Sequence, residues 1–272
     1  VREERTATIS VCIPARECAA TIGPIVAAMT ELRTAGMVDE VVVVDAASRD
    51  GTATLAQQAG AHVRQEADLL PEHGPVLGKG DAMWRALSVL RGDVVCFIDG
   101  DSIGVGPHYA CGLAGAVACE PGVRFAKAFY RRPFRVGDTV LAEGGGRVNE
   151  LTARPLLARF YPELAAVRQP LAGEIAARRD LLERLPFATG YAVEIAMLID
   201  AYRETGVDAL CQIDLDTRQN AHQPLSALAP MAGAVLAAVT ARLAREGRLA
   251  DGGEGDVVER PPLASLGAGG RS

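Results

Sequence analysis

An α/β fold on a mainly parallel sheet, with helices on both faces, is what this sequence predicts, and three features predict it. Over the first hundred residues, strand-length apolar runs alternate with helix-length amphipathic runs. The runs "EVVVVD" and "DVVCFID" are continuously apolar, as strands covered on both faces should be. Three of the candidate strands end in a polar cluster, at Pro14–Cys18, Asp45–Asp50 and Asp99–Ser102, and ligands in such sheets collect beyond the carboxyl ends of strands.

The elements follow in order. "ATISVCIPA" reads as a strand and "CAATIGPIVAAMTELRTAG" as a helix closed by Gly36. "DEVVVVDAAS" is a second strand, "DGTATLAQQAGA" a helix starting near Asp50, and "AHVRQEA" a short third strand. "GKGDAMWRALSVLRG" predicts a helix ending at Gly92, before the strand "DVVCFID". The second half is less regular. "RFAKAFYRRPF" reads as a strand with a bend, and "GGGRVNELTARPLLARFYPEL" as a glycine loop feeding a helix. "YAVEIAMLIDAYRETG" has the pattern of an amphipathic helix stopped by Gly206. "ALCQIDLDTRQNAHQ" suggests a strand leading to a polar loop, and "LSALAPMAGAVLAAVTARLARE" a last helix or helix pair. The Gly- and Pro-rich segment from Asp251 predicts a disordered tail over 251–272.

Composition narrows the class. Apolar residues make up 49% and aromatics 4%, so Ala, Val and Leu must fill the core, and a formal charge of −6 argues against nucleic-acid binding. The six cysteines lack the close spacing of a zinc site, and Cys12 and Cys96 fall inside apolar strands, which predicts reduced thiols and a cytoplasmic protein. No apolar run is expected to approach the length of a membrane span, and "VREERTATIS" lacks the apolar core of a signal peptide.

The stretch "VVCFIDGDS" carries the chemistry. Asp99 and Asp101 lie two residues apart after a buried strand, and alternation places both on one side if the strand continues. Two close carboxylates repel, so a divalent cation is the expected neutraliser, and carboxylate oxygens suit Mg²⁺ or Mn²⁺ that also takes phosphate oxygens. A pair of surface acids at a turn is the plainer alternative. For Lys79 the plainer reading is a solvated turn residue, for Glu194 a helix-surface acid, for His222 a polar loop residue, and for Trp84 helix packing.

The strand-to-"DGD" junction resembles the Asp-x-Asp signature of GT-A-fold (Rossmann-like) glycosyltransferases. Together with "GKGDAMWRAL", "FYRRPF", "GGGRVNELTARPLL", "QPLAGE", "TGYAVEI" and "AHQPL", it is similar to the actinobacterial glucosyl-3-phosphoglycerate synthases, from about Thr8 to Glu246. Those are retaining enzymes that move glucose from UDP-glucose to 3-phosphoglycerate. The resemblance implies one catalytic domain over 1–250, with a nucleotide-sugar half (5–105) and a C-terminal acceptor and dimerisation subregion (106–250). It implies that Pro14, Ala15, Glu17, Ser48, Lys79, Asp99, Gly100 and Asp101 bind the donor, with Asp101 and His222 holding the metal. Gly146, Arg147 and Asn149 would hold the acceptor, Leu171 would assist through its carbonyl, and Glu194 would contact the transferred sugar. A homodimer is implied as well.

The sequence departs from that pattern at Asn149, where the family has threonine, at Arg16, Cys18, Ala46 and Ala47, and at Ala221, where a basic residue is usual. The changes cluster around the donor and acceptor positions. A relative using another donor, such as a GDP-sugar, or a natural-product acceptor, including S-glycosyl transfer in antibiotic biosynthesis, is the second reading. A dinucleotide-dependent or non-catalytic nucleotide-binding protein is the third; "IPARECAATIG" lacks the glycine pattern that it would need after the first strand.

Overall fold

The computed structural model describes residues 7–136, 139–141, 145–218 and 224–249. His222, Ala221 and the segment 251–272 lie outside the described residues.

Strand β1 (Ile9–Ala15) is followed by helix α1 (Ile22–Thr34), which buries Ile22, Ile25, Val26, Met29 and Leu32. That spacing of three and four puts all five on one stripe against the sheet. Burying each contributes about 1.5–3 kcal/mol. Strand β2 (Glu40–Asp45), helix α2 (Thr52–Gln58) and strand β3 (His62–Gln65) continue the alternation. Helix α3 spans Lys79–Ala86 and leads into β4 (Val94–Phe97). Here the expected helix end moves. The chain leaves the α-helix after Ala86, and Gly92 instead packs so closely on the Ser10 backbone that a Cβ would collide with it.

Helix α4 (Pro107–Cys119), which the sequence reading did not identify, covers the sheet with Tyr109, Leu113 and Val117. Its Ala- and Gly-rich sequence has too weak a polar face to announce a helix. Strand β5 (Phe125–Arg131) follows, then β6 (Phe134–Val136) paired antiparallel with β7 (Thr139–Leu141). A π-helical turn, Asn149–Ala153, opens α5 (Arg154–Phe160). Next come β8 (Ile175–Arg178), α6 (Arg179–Leu182), α7 (Val193–Thr205), β9 (Leu210–Thr217) and α8 (Leu225–Arg245).

The main sheet has seven strands in the order β3-β2-β1-β4-β8-β5-β9. Six run in one direction. Only β8 is reversed, pairing antiparallel with β4 (Phe97↔Ile175) and β5 (Phe125↔Ala177). Val41, Val42, Val43 and Val44 are all buried, as are Val94 to Ile98, so both faces of the central strands are covered. The fold is GT-A-like α/β, as expected. Helix α7 is more buried than an amphipathic surface helix would be, with Val193, Ile195, Ala196, Met197, Leu198 and Ile199 all inside.

Val1–Val239 form one compact unit containing the whole sheet, and Thr240 begins a second. One expectation fails in α8. By length and composition alone this 21-residue helix is apolar enough to cross a membrane, because alanine fills the intervals between its leucines and valines while its arginines lie in the last turn.

Candidate active site

Three loops meet at the carboxyl end of the sheet, and side chains stitch them together. After β1, Glu17 turns into the left-handed region (φ 52°) and donates its N–H to Ser48 Oγ at 2.9 Å. The Glu17 carboxylate accepts the Arg49 N–H at 2.9 Å, and the Ala19 N–H bonds Asp50 at 2.9 Å. Thr21 Oγ1 donates to the Gly100 carbonyl at 2.6 Å, tying the first loop to the one after β4. Gly100 also lies against Pro14 and Ala15, where a Cβ on it would come within 3.0 Å of the Pro14 carbonyl oxygen. Ala47, one of the departures from the family pattern, is held at φ 53°, with its N–H on Gln65 at 3.2 Å.

Lys79 is the first residue of α3. The preceding loop is anchored by buried Arg85, which donates to the carbonyls of Leu69 (2.6 Å), Leu70 (2.9 Å) and Gly74 (2.8 Å). Asp81 completes the anchor by accepting Arg85 Nε at 3.2 Å and the Leu77 N–H at 2.8 Å. The Lys79 ammonium then reaches Asp99 at 2.5 Å and Glu194 at 2.8 Å. It is not a solvated turn residue. Glu194 is not a surface acid either, since its side chain is only 12% exposed and points into the site.

The sequence suggested a divalent cation as the neutraliser of the aspartate pair, and the structure adds a protein cation, Arg218. This buried guanidinium lies 3.0 Å from Asp99 and 3.6 Å from Asp101. It also contacts Glu174 at 2.6 Å and donates to the Tyr130 hydroxyl at 2.7 Å. Burial opposes ionisation of Asp99, but Lys79 and Arg218 outweigh it and hold the carboxyl well below the usual range. Burial pushes Glu174 upward against the pull of Arg218. Asp99 is thus occupied by protein cations. Asp101, with a 69% exposed side chain, keeps its oxygens toward solvent.

From Glu174 the network runs on to the second half. Tyr130 donates to Glu174 at 3.1 Å and accepts from Arg132 at 2.9 Å. Arg132 borders a small cleft lined also by Gly145, Gly146, Asn149, Gln169 and Leu171. The Asn149 amide donates to the Glu150 carboxylate at 3.0 Å and the Arg168 carbonyl at 3.1 Å, and accepts the Leu171 N–H at 3.3 Å. Arg132 Nε and Gln169 Oε1 are buried there without a hydrogen-bond partner among the described residues. Arg147 opens the helical segment just before Asn149 and is half-buried; it is not among the residues lining the cleft. Between the cleft and the acids lies Gly173, where a Cβ would run into the Asp99 carboxylate.

The sequence and the fold have known counterparts. A family model described as glycosyl transferase family 2 matches residues 10–103. The chain is 41% identical over 279 residues to the glucosyl-3-phosphoglycerate synthase of Mycolicibacterium paratuberculosis, covering 95% of this chain and 84% of that protein. The chain belongs to the glucosyl-3-phosphoglycerate synthase family. Family membership makes it a glycosyltransferase of the hexosyl-transferring kind. A member from Mycobacterium tuberculosis is 45% identical over 238 residues, or 86% of this chain and 73% of that one. Its crystal structure in complex with Mn²⁺, UDP-glucose and phosphoglyceric acid superposes with a TM-score of 0.79 at 43% identity, covering 88% and 80% of the two chains. The mannosyl-3-phosphoglycerate synthase of Rubrobacter xylanophilus gives 0.82 at 48% identity, covering 89% and 76%.

The sequence reading missed five residues that this family member brings to the site. Arg218 stands alone after a strand, with no pattern to mark it. Glu174 and Arg132 lay within quoted motifs, "QPLAGE" and "FYRRPF", without a role. Lys127 interrupts the apolar run of β5, a signal that could have been used. Asp45, at the end of β2, accepts Ser48 N–H (3.1 Å) and Gln65 Nε2 (3.0 Å) with one oxygen, while the other is buried with no donor among the described residues. Trp84 packs edge-on to His73 at 4.9 Å, away from these contacts.

Proposed function

We propose that the chain transfers glucose from UDP-glucose to 3-phosphoglycerate with retention of configuration, assisted by Mn²⁺ or Mg²⁺. The observation that carries this reading is the Lys79 ammonium held between Asp99 and Glu194 at the carboxyl end of the sheet. It joins a cationic group suited to a diphosphate with an acid suited to sugar hydroxyls. The exposed Asp101 carboxylate suits a hard divalent cation, and the resemblance supplies His222 as its second ligand. The cation would act as a Lewis acid toward the leaving diphosphate.

The remaining work falls to the chain's own groups. The loops bearing Pro14, Ala15, Glu17, Ser48 and Gly100 hold the nucleotide, and Lys79 and Arg218 keep Asp99 ionised beside it. Glu194 orients the transferred sugar. Gly146, Arg147, Asn149 and Arg132 bind the acid and phosphate groups of the acceptor, and the Leu171 carbonyl assists as charge develops on the sugar. We assign these roles to one catalytic domain over 1–250, with donor (5–105) and acceptor (106–250) halves, working as a cytoplasmic homodimer.

Mannose is the second donor reading, favoured by the 48% identity to the Rubrobacter mannosyl enzyme. The deciding experiment incubates the full chain with Mn²⁺ and either UDP-glucose or GDP-mannose, with and without 3-phosphoglycerate. Nucleotide release that depends on phosphoglycerate, with an α-linked product by NMR, is the expected result. Release from neither donor sinks the reading, and a β-linked product removes retention alone.

A further inference from the structure

Lys127 is a buried cation that the transfer step above leaves unused. It lies in β5 between Ala126 and Ala128, is 2% exposed, and donates Nζ to the Ala172 carbonyl at 2.6 Å. Among the described residues, no carboxylate lies within ion-pair distance of it. The charged groups facing it are Glu194 from α7, Lys79 from α3, Glu174 at the entry to β8 and Asp99 beyond β4. Burial lowers its pKa to about 8, with Lys79 pulling the same way and the three acids opposing. An ammonium buried on one carbonyl is an expensive way to fill space, and a methionine would fill it without desolvating a charge.

Its hydrogen-bond partner suggests what the charge is for. Leu171, Ala172 and Gly173 form the wall between the cleft and the acids. Leu171 and Ala172 line the cleft, while Gly173 abuts the Asp99 carboxylate. Asn149 holds the wall at the Leu171 N–H and Lys127 holds it at the Ala172 carbonyl. A shift of the wall would change the separation of acceptor and donor directly. The charge also matters, because Lys79, Arg218 and Lys127 match Asp99, Glu174 and Glu194 in number.

We propose that Lys127 is a positioning residue for sugar transfer, its ammonium fixing the Leu171–Gly173 wall and balancing the buried acids on which donor and acceptor meet. This rests on the function proposed above and assigns a further residue to it. The mechanism requires the charged amine, so activity falls as pH rises through about 8.

The test compares wild type, Lys127→Met and Lys127→Arg between pH 6.5 and 9.5, with thermal melts alongside. Lys127→Met should still fold and melt cooperatively at pH 7, yet lose about ten- to a hundredfold in kcat with little change in donor KM. Lys127→Arg, which stays charged, should recover part of kcat and lose the alkaline decline. Should the arginine not fit, the wild-type alkaline limb and its disappearance in Lys127→Met still decide. A Lys127→Met enzyme with wild-type kcat, or a wild-type rate flat through pH 9.5, overturns the inference while wild type remains active. Wild type inactive with both donors is a different outcome, and it removes the functional reading and this inference together.

Discussion

Arg218→Met tests the reasoning about the site most severely. The guanidinium is 3% exposed and, among the described residues, is the cation in contact with Glu174, whose side chain is fully buried. Its removal leaves a carboxylate inside the protein with Ser102 Oγ at 3.2 Å and Tyr130 OH at 3.1 Å. Breaking a buried pair in this way costs about 3–5 kcal/mol. At a urea slope of about 3 kcal/mol/M, the unfolding midpoint should drop by about 1–1.7 M at pH 7. The pH dependence identifies the cause. Without Arg218, Glu174 retains its proton in the folded state, so the folded protein binds more protons than the unfolded chain. Stability then falls as pH rises above the ordinary glutamate range, by up to about 1.4 kcal/mol per unit, and the deficit is smaller at pH 5 than at pH 8. Adding Glu174→Gln should restore most of the loss. A deficit under about 1 kcal/mol, or one equal at both pH values, would show that the buried pair is not what holds the two halves of the site together.

Four further outcomes follow from the same geometry. Asp101→Ala, on an exposed side chain, should leave unfolding within about 0.5 kcal/mol of wild type but abolish metal-dependent nucleotide binding by calorimetry; Mn²⁺-dependent binding in the variant would refute the metal assignment. Gly173→Ala should destabilise by about 1–3 kcal/mol through crowding and lose transfer entirely, because its methyl displaces Asp99 from Lys79 and Arg218; an active variant would contradict that contact. Arg132→Met should raise the acceptor KM about ten- to hundredfold through a lost charge-assisted hydrogen bond with the donor KM unchanged, and steady-state kinetics with each substrate varied will show the split. Asp99, Asp50, Asp93 and Asp180 are all held below the usual carboxylate range. Their stabilisation is therefore complete above about pH 4 and lost as pH falls toward their folded values, which urea midpoints from pH 5 to pH 2 should trace.

Much of the fold was legible because local periodicity and burial agree. The apolar runs of β1, β2 and β4 and the spaced apolar residues of α1 need no distant partner to be recognised, and the polar ends of the strands already marked where a site would form. The reversed strand β8 was not legible. Its four residues, "IAAR", carry no directional signal, and only pairing between β4 and β5, which are far apart in the chain, makes them a strand. Helix α4 was missed for want of a polar face.

The site divides along the same line. What the sequence determined by itself was the pair Asp99 and Asp101 after a buried strand, and a string of motifs specific enough to identify the family. Only the tertiary structure decided how those charges are compensated. Lys79 meets Glu194 across 115 positions and Arg218 meets Asp99 across 119, contacts that no local pattern encodes. Coulombic compensation depends on distance in space, whereas periodicity records only neighbours along the chain. For that reason Asp99 proved to be held by two protein cations while Asp101, two residues on, remained open to solvent.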